Sequence, residues 1–158
     1  MKILGLTFIF LCTTSVGIYM SYKTKTSVKQ LYETICFIKH IKNQIEFFNP
    51  PLSDIYQSFE PKTKAFEYFL SIISSDSWDK ALEKSEKLYF SENTVKMLTE
   101  YGKAIGKTNR QEQILNCDYY IQQLENEYKE VSIKAPEKIK LNMSVSIYIA
   151  LMIVILFI

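Results

Sequence analysis

The stretch NRQEQILNCDYYIQQLENEYKEV, residues 109–131, decides the fold class. Ile114, Cys117, Ile121, Leu124, Tyr128 and Val131 alternate three- and four-residue steps without a break. That period lays one apolar stripe along an α-helix. Asn109 followed by Glu112 supplies a cap pair just ahead of the stripe. A seam of this kind packs at a shallow angle against another long helix. The natural candidate is the stripe Val28, Leu31, Ile35, Ile38, Ile45 and Phe48, interrupted by Lys42, which predicts a long helix over about 27–48.

Between these two the chain offers shorter helices, each with its own punctuation. Asn49-Pro50-Pro51 must end the first helix, since proline lacks an N–H and restricts the residue before it. Leu52, Ile55 and Phe59 share a face over 51–59, and Pro61 stops that helix and opens another carrying Phe66, Phe69, Leu70 and Ile73. Ser75, Asp76 and Ser77 can cap a helix with Trp78, Leu82 and Leu88, and Ser91 one with Val95, Leu98, Gly102 and Ile105. Four glycines and four prolines in 158 residues leave little for hairpins, so an all-β fold is excluded. The expectation is an all-α protein built on a bundle of about six helices.

Both ends of the chain differ from its middle. Residues 3–22 and 141–158 carry no charge, whereas Ser21 to Asn142 hold 18 of the 19 basic and all 17 acidic side chains. At about 1.5 Å per residue these ends give roughly 30 Å and 27 Å of helix, close to the thickness of a hydrocarbon core. They read as transmembrane helices over 1–22 and 141–158, flanking a domain over 23–140. The competing reading of the first is a cleaved signal peptide, with Met1-Lys2 ahead of the apolar run and Ser15-Val16-Gly17 as a small-x-small site. The apolar run continues past that site to Tyr22, which favours an uncleaved anchor.

Lysines set the orientation. Lys23, Lys25 and Lys29 follow the first span, and Lys134, Lys138 and Lys140 precede the second, while only Lys2 lies on the far side. The positive-inside rule places the middle in the cytoplasm and both termini outside. Three cysteines in a reducing compartment need not pair. A formal net charge of +2 argues against a nucleic-acid partner.

Chemistry is sparse. Gly106-Lys107-Thr108 has the end of a phosphate-binding loop, but Tyr101 stands where its first glycine belongs and no strand precedes it. Cys36 and His40 lie four apart, yet only Cys117 is left in the middle to complete a metal site that wants four ligands. The same pair lacks the orienting partner that nucleophilic catalysis needs. The reading is therefore no enzyme, no cofactor and no metal. Gly102 and Gly106, the two glycines of the middle, read either as close packing followed by a C-cap or as the contact for an approaching helix.

The segment Leu98-Thr99-Glu100-Tyr101-Gly102-Lys103-Ala104-Ile105-Gly106-Lys107-Thr108-Asn109-Arg110-Gln111-Glu112-Gln113 resembles the fingerprint of the stage III sporulation protein AB family. That pattern is an aromatic-Gly-Lys-x-Leu-Gly block, then Ser/Thr-Asp-Arg-Glu and a Gln. Pro51-Leu52-Ser53-Asp54-Ile55 is similar to its Pro-Leu-Ser-Glu-Ala segment. Asn109 and Ile105 depart from the pattern, and Ser144-Val145-Ser146 replaces a glycine-rich start of the last span. The resemblance implies a non-enzymatic platform or scaffold subunit of the channel complex between mother cell and forespore, in the mother-cell membrane. Family members are similar to the inner-membrane platform proteins of type II secretion and type IV pilus machines. Such a subunit would dock a cytoplasmic secretion-type ATPase and contact other membrane proteins of the complex and lipid. The fingerprint positions Gly102, Lys103, Gly106, Lys107, Arg110 and Gln113 are the expected partner contacts, with the fork of Arg110 suited to a carboxylate or to an ion pair within the fold. The rival class is a membrane-tethered extracytoplasmic helical binding module.

Overall fold

Six helices follow one another in the computed structural model, which describes residues 2–48, 50–85 and 87–157, with side chains described except at 2–4, 6 and 157. They are α1 (Lys2–Phe47), α2 (Leu52–Ser58), α3 (Lys64–Ser75), α4 (Trp78–Lys84), α5 (Glu92–Ala104) and α6 (Arg110–Phe157). No strand occurs among the described residues. The chain is all-helical. The first and last helices are longer than the amphipathic stripes alone require: each continues without interruption into its uncharged end. Pro136 stands inside α6, where it withholds one backbone donor.

Contacts divide the chain into two units, residues 29–130 and the pair of segments 1–28 and 131–158. Within the first, one apolar core gathers Leu31, Ile35, Ile38, Ile41 and Ile45 of α1 with Cys117, Ile121 and Leu124 of α6 and the inner faces of the short helices. Lys39–Glu125 at 2.6 Å and Lys42–Asp118 at 2.7 Å pair α1 with α6 outside that core, and the Tyr32 and Tyr128 rings lie 5.6 Å apart. Lys42, which interrupts the apolar stripe, reaches out to this ion pair. At the centre, Trp78 touches the rings of Phe37, Tyr56, Phe69 and Tyr101 at 5.2–6.3 Å and donates its indole N–H to the Tyr56 hydroxyl at 3.3 Å.

Local chemistry sets the helix starts. Thr63, Ser77 and Ser91 each accept the backbone N–H group three residues on, so α3, α4 and α5 each begin at a hydroxyl cap. This corrects the expectation that Pro61 opens the third helix: Thr63 caps it instead. The carboxylate of Glu33 on α1, buried at 4% exposure, accepts from the amides of Lys62 and Thr63 and from the Thr63 hydroxyl. α4 also stops earlier than its apolar pattern predicts, with Leu88 beyond its end in a turn closed by the Leu88 amide on the Ser85 carbonyl. Gln30 holds the segment that follows, donating to Lys87 O and accepting from Tyr89 N, both at 2.8 Å.

The second unit joins the two uncharged ends. Gly17 of α1 lies so near α6 that a Cβ there would sit 2.0 Å from Ser146 Oγ and 3.1 Å from Asn142 O. Ser21 Oγ is 3.4 Å from the Ile139 carbonyl, and Ala150 is fully buried. Large apolar side chains face outward along the uncharged ends: Phe8, Leu11 and Ile18 on one segment, Leu141, Tyr148, Met152 and Ile155 on the other. Among the described residues α6 is the one helix long and apolar enough to cross a membrane, by length and composition. The first predicted span begins on residues whose side chains lie outside the described ones, as do Met1 of its leading pair and Asn49 of the predicted helix stop.

Candidate functional site

The two motifs that carry the family resemblance meet at one end of the 29–130 unit, where α1 stops, α2 starts and α5 turns into α6. Ile105 ends α5 in an extended conformation with its amide on Tyr101 O at 2.9 Å. Gly106 follows at φ +78°, the left-handed region that disfavours a side chain. A Cβ on Gly106 would also meet Leu52 Cδ1 at 2.7 Å. Leu52 of the Pro-Leu-Ser segment therefore seats on the turn formed by the other motif.

Gln113 holds the turn from within α6. Its Oε1 accepts from the Gly106 amide at 3.3 Å and its Nε2 donates to Thr108 O at 2.9 Å. Asn109 caps α6, accepting from Glu112 N at 2.9 Å. An asparagine thus performs the capping that the more usual aspartate would, without its charge at the positive helix end. Arg110 reaches across to the last turn of α1, donating from Nε to Ile45 O at 3.0 Å and from Nη2 to Glu46 O. Those carbonyls belong to the four that a helix end leaves unpaired. Nε and Nη2 of Arg110 are thereby taken by backbone carbonyls of its own chain, and among the described residues it makes no salt bridge, while the side chain itself stays exposed.

The remaining predicted residues separate by direction. Gly102 faces inward: a Cβ there would lie 2.3 Å from both Cβ and Cγ of Trp78. Lys103 is exposed, with its ammonium 3.8 Å from Asp79, a pairing of little energetic weight at a solvated surface. Lys107 is exposed and its ammonium has no partner among the described residues. Of the six, the two lysines present charge outward, and Gly102, Gly106, Arg110 and Gln113 fix the turn that carries them. Arg110→Ala is expected to lower the stability of the 29–130 unit by about 1 kcal/mol, read from the urea midpoint of the detergent-solubilised chain. Arg110→Lys should recover less than half of that, since one ammonium cannot serve two carbonyls in a fixed fork.

Pattern reading missed the aromatic pair at this same end. Phe48 belongs to the predicted stripe of the first helix, but it is 76% exposed and its neighbour Phe47 is 70% exposed. The available signal is Asn49-Pro50-Pro51, which ends the helix at this point, so that its period no longer fixes which way Phe48 faces. The other chemistry-bearing groups are engaged elsewhere: His40 Nε2 pairs with Ser58 Oγ at 2.9 Å, and Cys117 lies 3.4 Å from the Tyr101 hydroxyl. Burial pushes the Cys117 thiol up, so it stays protonated.

A family model described as stage III sporulation protein AB matches residues 2–158, essentially the whole chain. No curated protein and no solved structure gives a match.

Proposed function

The chain belongs to the stage III sporulation protein AB family, which makes it a sporulation protein, and from that premise we propose a non-enzymatic membrane scaffold. In this reading residues 1–22 and 141–158 are a pair of spans, and the helical bundle between them lies in the cytoplasm of the mother cell. The bundle docks a secretion-type ATPase, while the spans contact lipid and other membrane proteins of the channel.

The observation that carries this reading is the continuity of α6. One helix begins at the motif turn, anchored through Arg110 to the end of α1, and continues into the apolar segment. A partner bound at that turn would thus hold the helix that also enters the membrane. Support for the first span comes from Gly17, whose missing side chain admits α6 closely, as small residues do between membrane helices. Exposed Phe47 and Phe48 at the end of α1 offer aromatic contacts of the kind enriched where proteins bind one another.

Topology tests the reading first. A single cysteine at exposed Lys103, in a chain without its three native thiols, should resist a membrane-impermeant thiol reagent until the cells are opened. Immediate labelling of intact cells would place the 29–130 unit outside and leave the extracytoplasmic binding module as the better account.

A further inference from the structure

Away from the motif turn, the first residues of α3 and the end of α4 enclose an open pocket of about 410 Å³ lined by Lys64, Ala65, Tyr68, Lys84, Ser85 and Lys87. Three of these six residues are lysines, and none of the three has an ion-pair partner among the described residues. No carboxylate lines the pocket among the described residues, and Glu86 lies outside them. Three like charges around one recess repel one another, so the arrangement gains from an anion that neutralises them.

Two further features set the kind of anion. Lys64 and Ala65 are the first two residues of the 12-residue α3, so the positive end of that helix lies at the pocket. Glu33 and the Thr63 hydroxyl take the amides of Lys62, Thr63 and Phe66, and leave those of Lys64 and Ala65 without a partner among the described residues. Independently, Ser85 in the wall is 5% exposed and its hydroxyl has no hydrogen-bond partner among the described residues. A buried hydroxyl without a partner is costly and calls for an explanation, and a bound acceptor oxygen supplies one.

We propose that this pocket binds a phosphoryl group, with the ammonium groups of Lys64, Lys84 and Lys87 around its oxygens and the Ser85 hydroxyl donating to one of them. A tetrahedral dianion suits three lysines lining one recess, with additional donors, better than a planar monoanion does. Free phosphate, a phosphomonoester and a phosphatidic acid headgroup share this chemistry. The inference is independent of the platform reading, since it uses none of the residues at the motif turn.

Titration calorimetry of the full chain in zwitterionic detergent tests it, with inorganic phosphate as probe and acetate as control. Saturable binding of phosphate but not acetate is expected, weakened about tenfold by Lys84→Gln with Lys87→Gln and about fivefold by Ser85→Ala. The two lysines are exposed, so their replacement leaves the fold intact, which thermal melting of the same samples verifies. Short-chain phosphatidic acid separates the sources: affinity well above that of phosphate, lost with the same lysines, identifies a lipid headgroup, and equal affinity identifies a soluble phosphate. Absence of saturable phosphate binding, or an affinity unchanged in the folded double variant, would overturn the proposal.

Discussion

Gly102→Ala should destabilise the 29–130 unit by about 2 kcal/mol, yet the same change should cost clearly less, about 1 kcal/mol or under, in a Trp78→Ala variant. The difference follows from what the missing side chain of Gly102 admits. A Cβ at Gly102 would lie 2.3 Å from Trp78 Cβ and Cγ, atoms at the root of the indole that cannot swing aside without moving α4. Overpacking of this kind costs about 1–3 kcal/mol, against which alanine recovers about 1 kcal/mol of helix propensity at an interior helical position. Trp78→Ala removes Cγ and the ring but keeps the Cβ 2.3 Å from the added methyl, so part of the clash persists, now beside an empty space into which the two helices can relax. Trp78→Ala alone should cost about 3–5 kcal/mol, because it empties the centre of four ring contacts and strands the Tyr56 hydroxyl. Denaturation followed by far-ultraviolet circular dichroism measures all four corners of the cycle, fluorescence being unsuitable because Trp78 is the single tryptophan. Additive effects across the cycle would show that the two residues do not share one contact, and would return Gly102 to the group of residues available to a partner.

This cycle bears on how far the sequence could be read. Periodicity located six helices because each stripe faces one core, and the hydroxyl caps followed from residue type at the helix starts. Buried polar groups were not legible in that way. Gln30 and Glu33 look like ordinary solvated positions on α1, but they satisfy backbone groups of segments 29–59 residues away in sequence. Nothing local in α1 announces those partners. The fingerprint positions illustrate the same gap. Their proximity was predictable from spacing, whereas the roles of Arg110 and Gln113 depend on α1 ending beside the α5–α6 turn, a long-range juxtaposition. Gly102 was read correctly as a place of close approach, but pattern alone left open whether a partner or Trp78 approaches it.

Gly17 carries the second large effect, on the 1–28 and 131–158 segments. It belongs to the small-x-small site of the competing signal-peptide reading, and the structure packs α6 against it, with Ser146 Cβ 2.7 Å from an ideal Cβ. The terminal segment lacks the glycines expected of its start, and Gly17 supplies from the opposite helix the small residue that lets Ser146 pack closely. Gly17→Leu should therefore separate the segments, and Gly17→Cys with Ser146→Cys, in a chain free of other thiols, should form an intramolecular bridge on mild oxidation. Disulfide Cβ atoms sit about 3.8 Å apart, so an outward adjustment of roughly 1 Å accommodates the bond. Cleavage by a protease between the segments reads the result: a bridged chain stays as one species until reduced, and an unbridged one falls into two. A third cysteine position on the outward face, Tyr148→Cys with Gly17→Cys, should remain unbridged, which separates true adjacency from random collision. If the Gly17–Ser146 pair fails to bridge in membranes while the chain runs as a shorter species, the first segment has been removed after the Ser15-Val16-Gly17 site. The α6 apolar segment would then be left to anchor the protein by itself, and the 29–130 unit would face the outside.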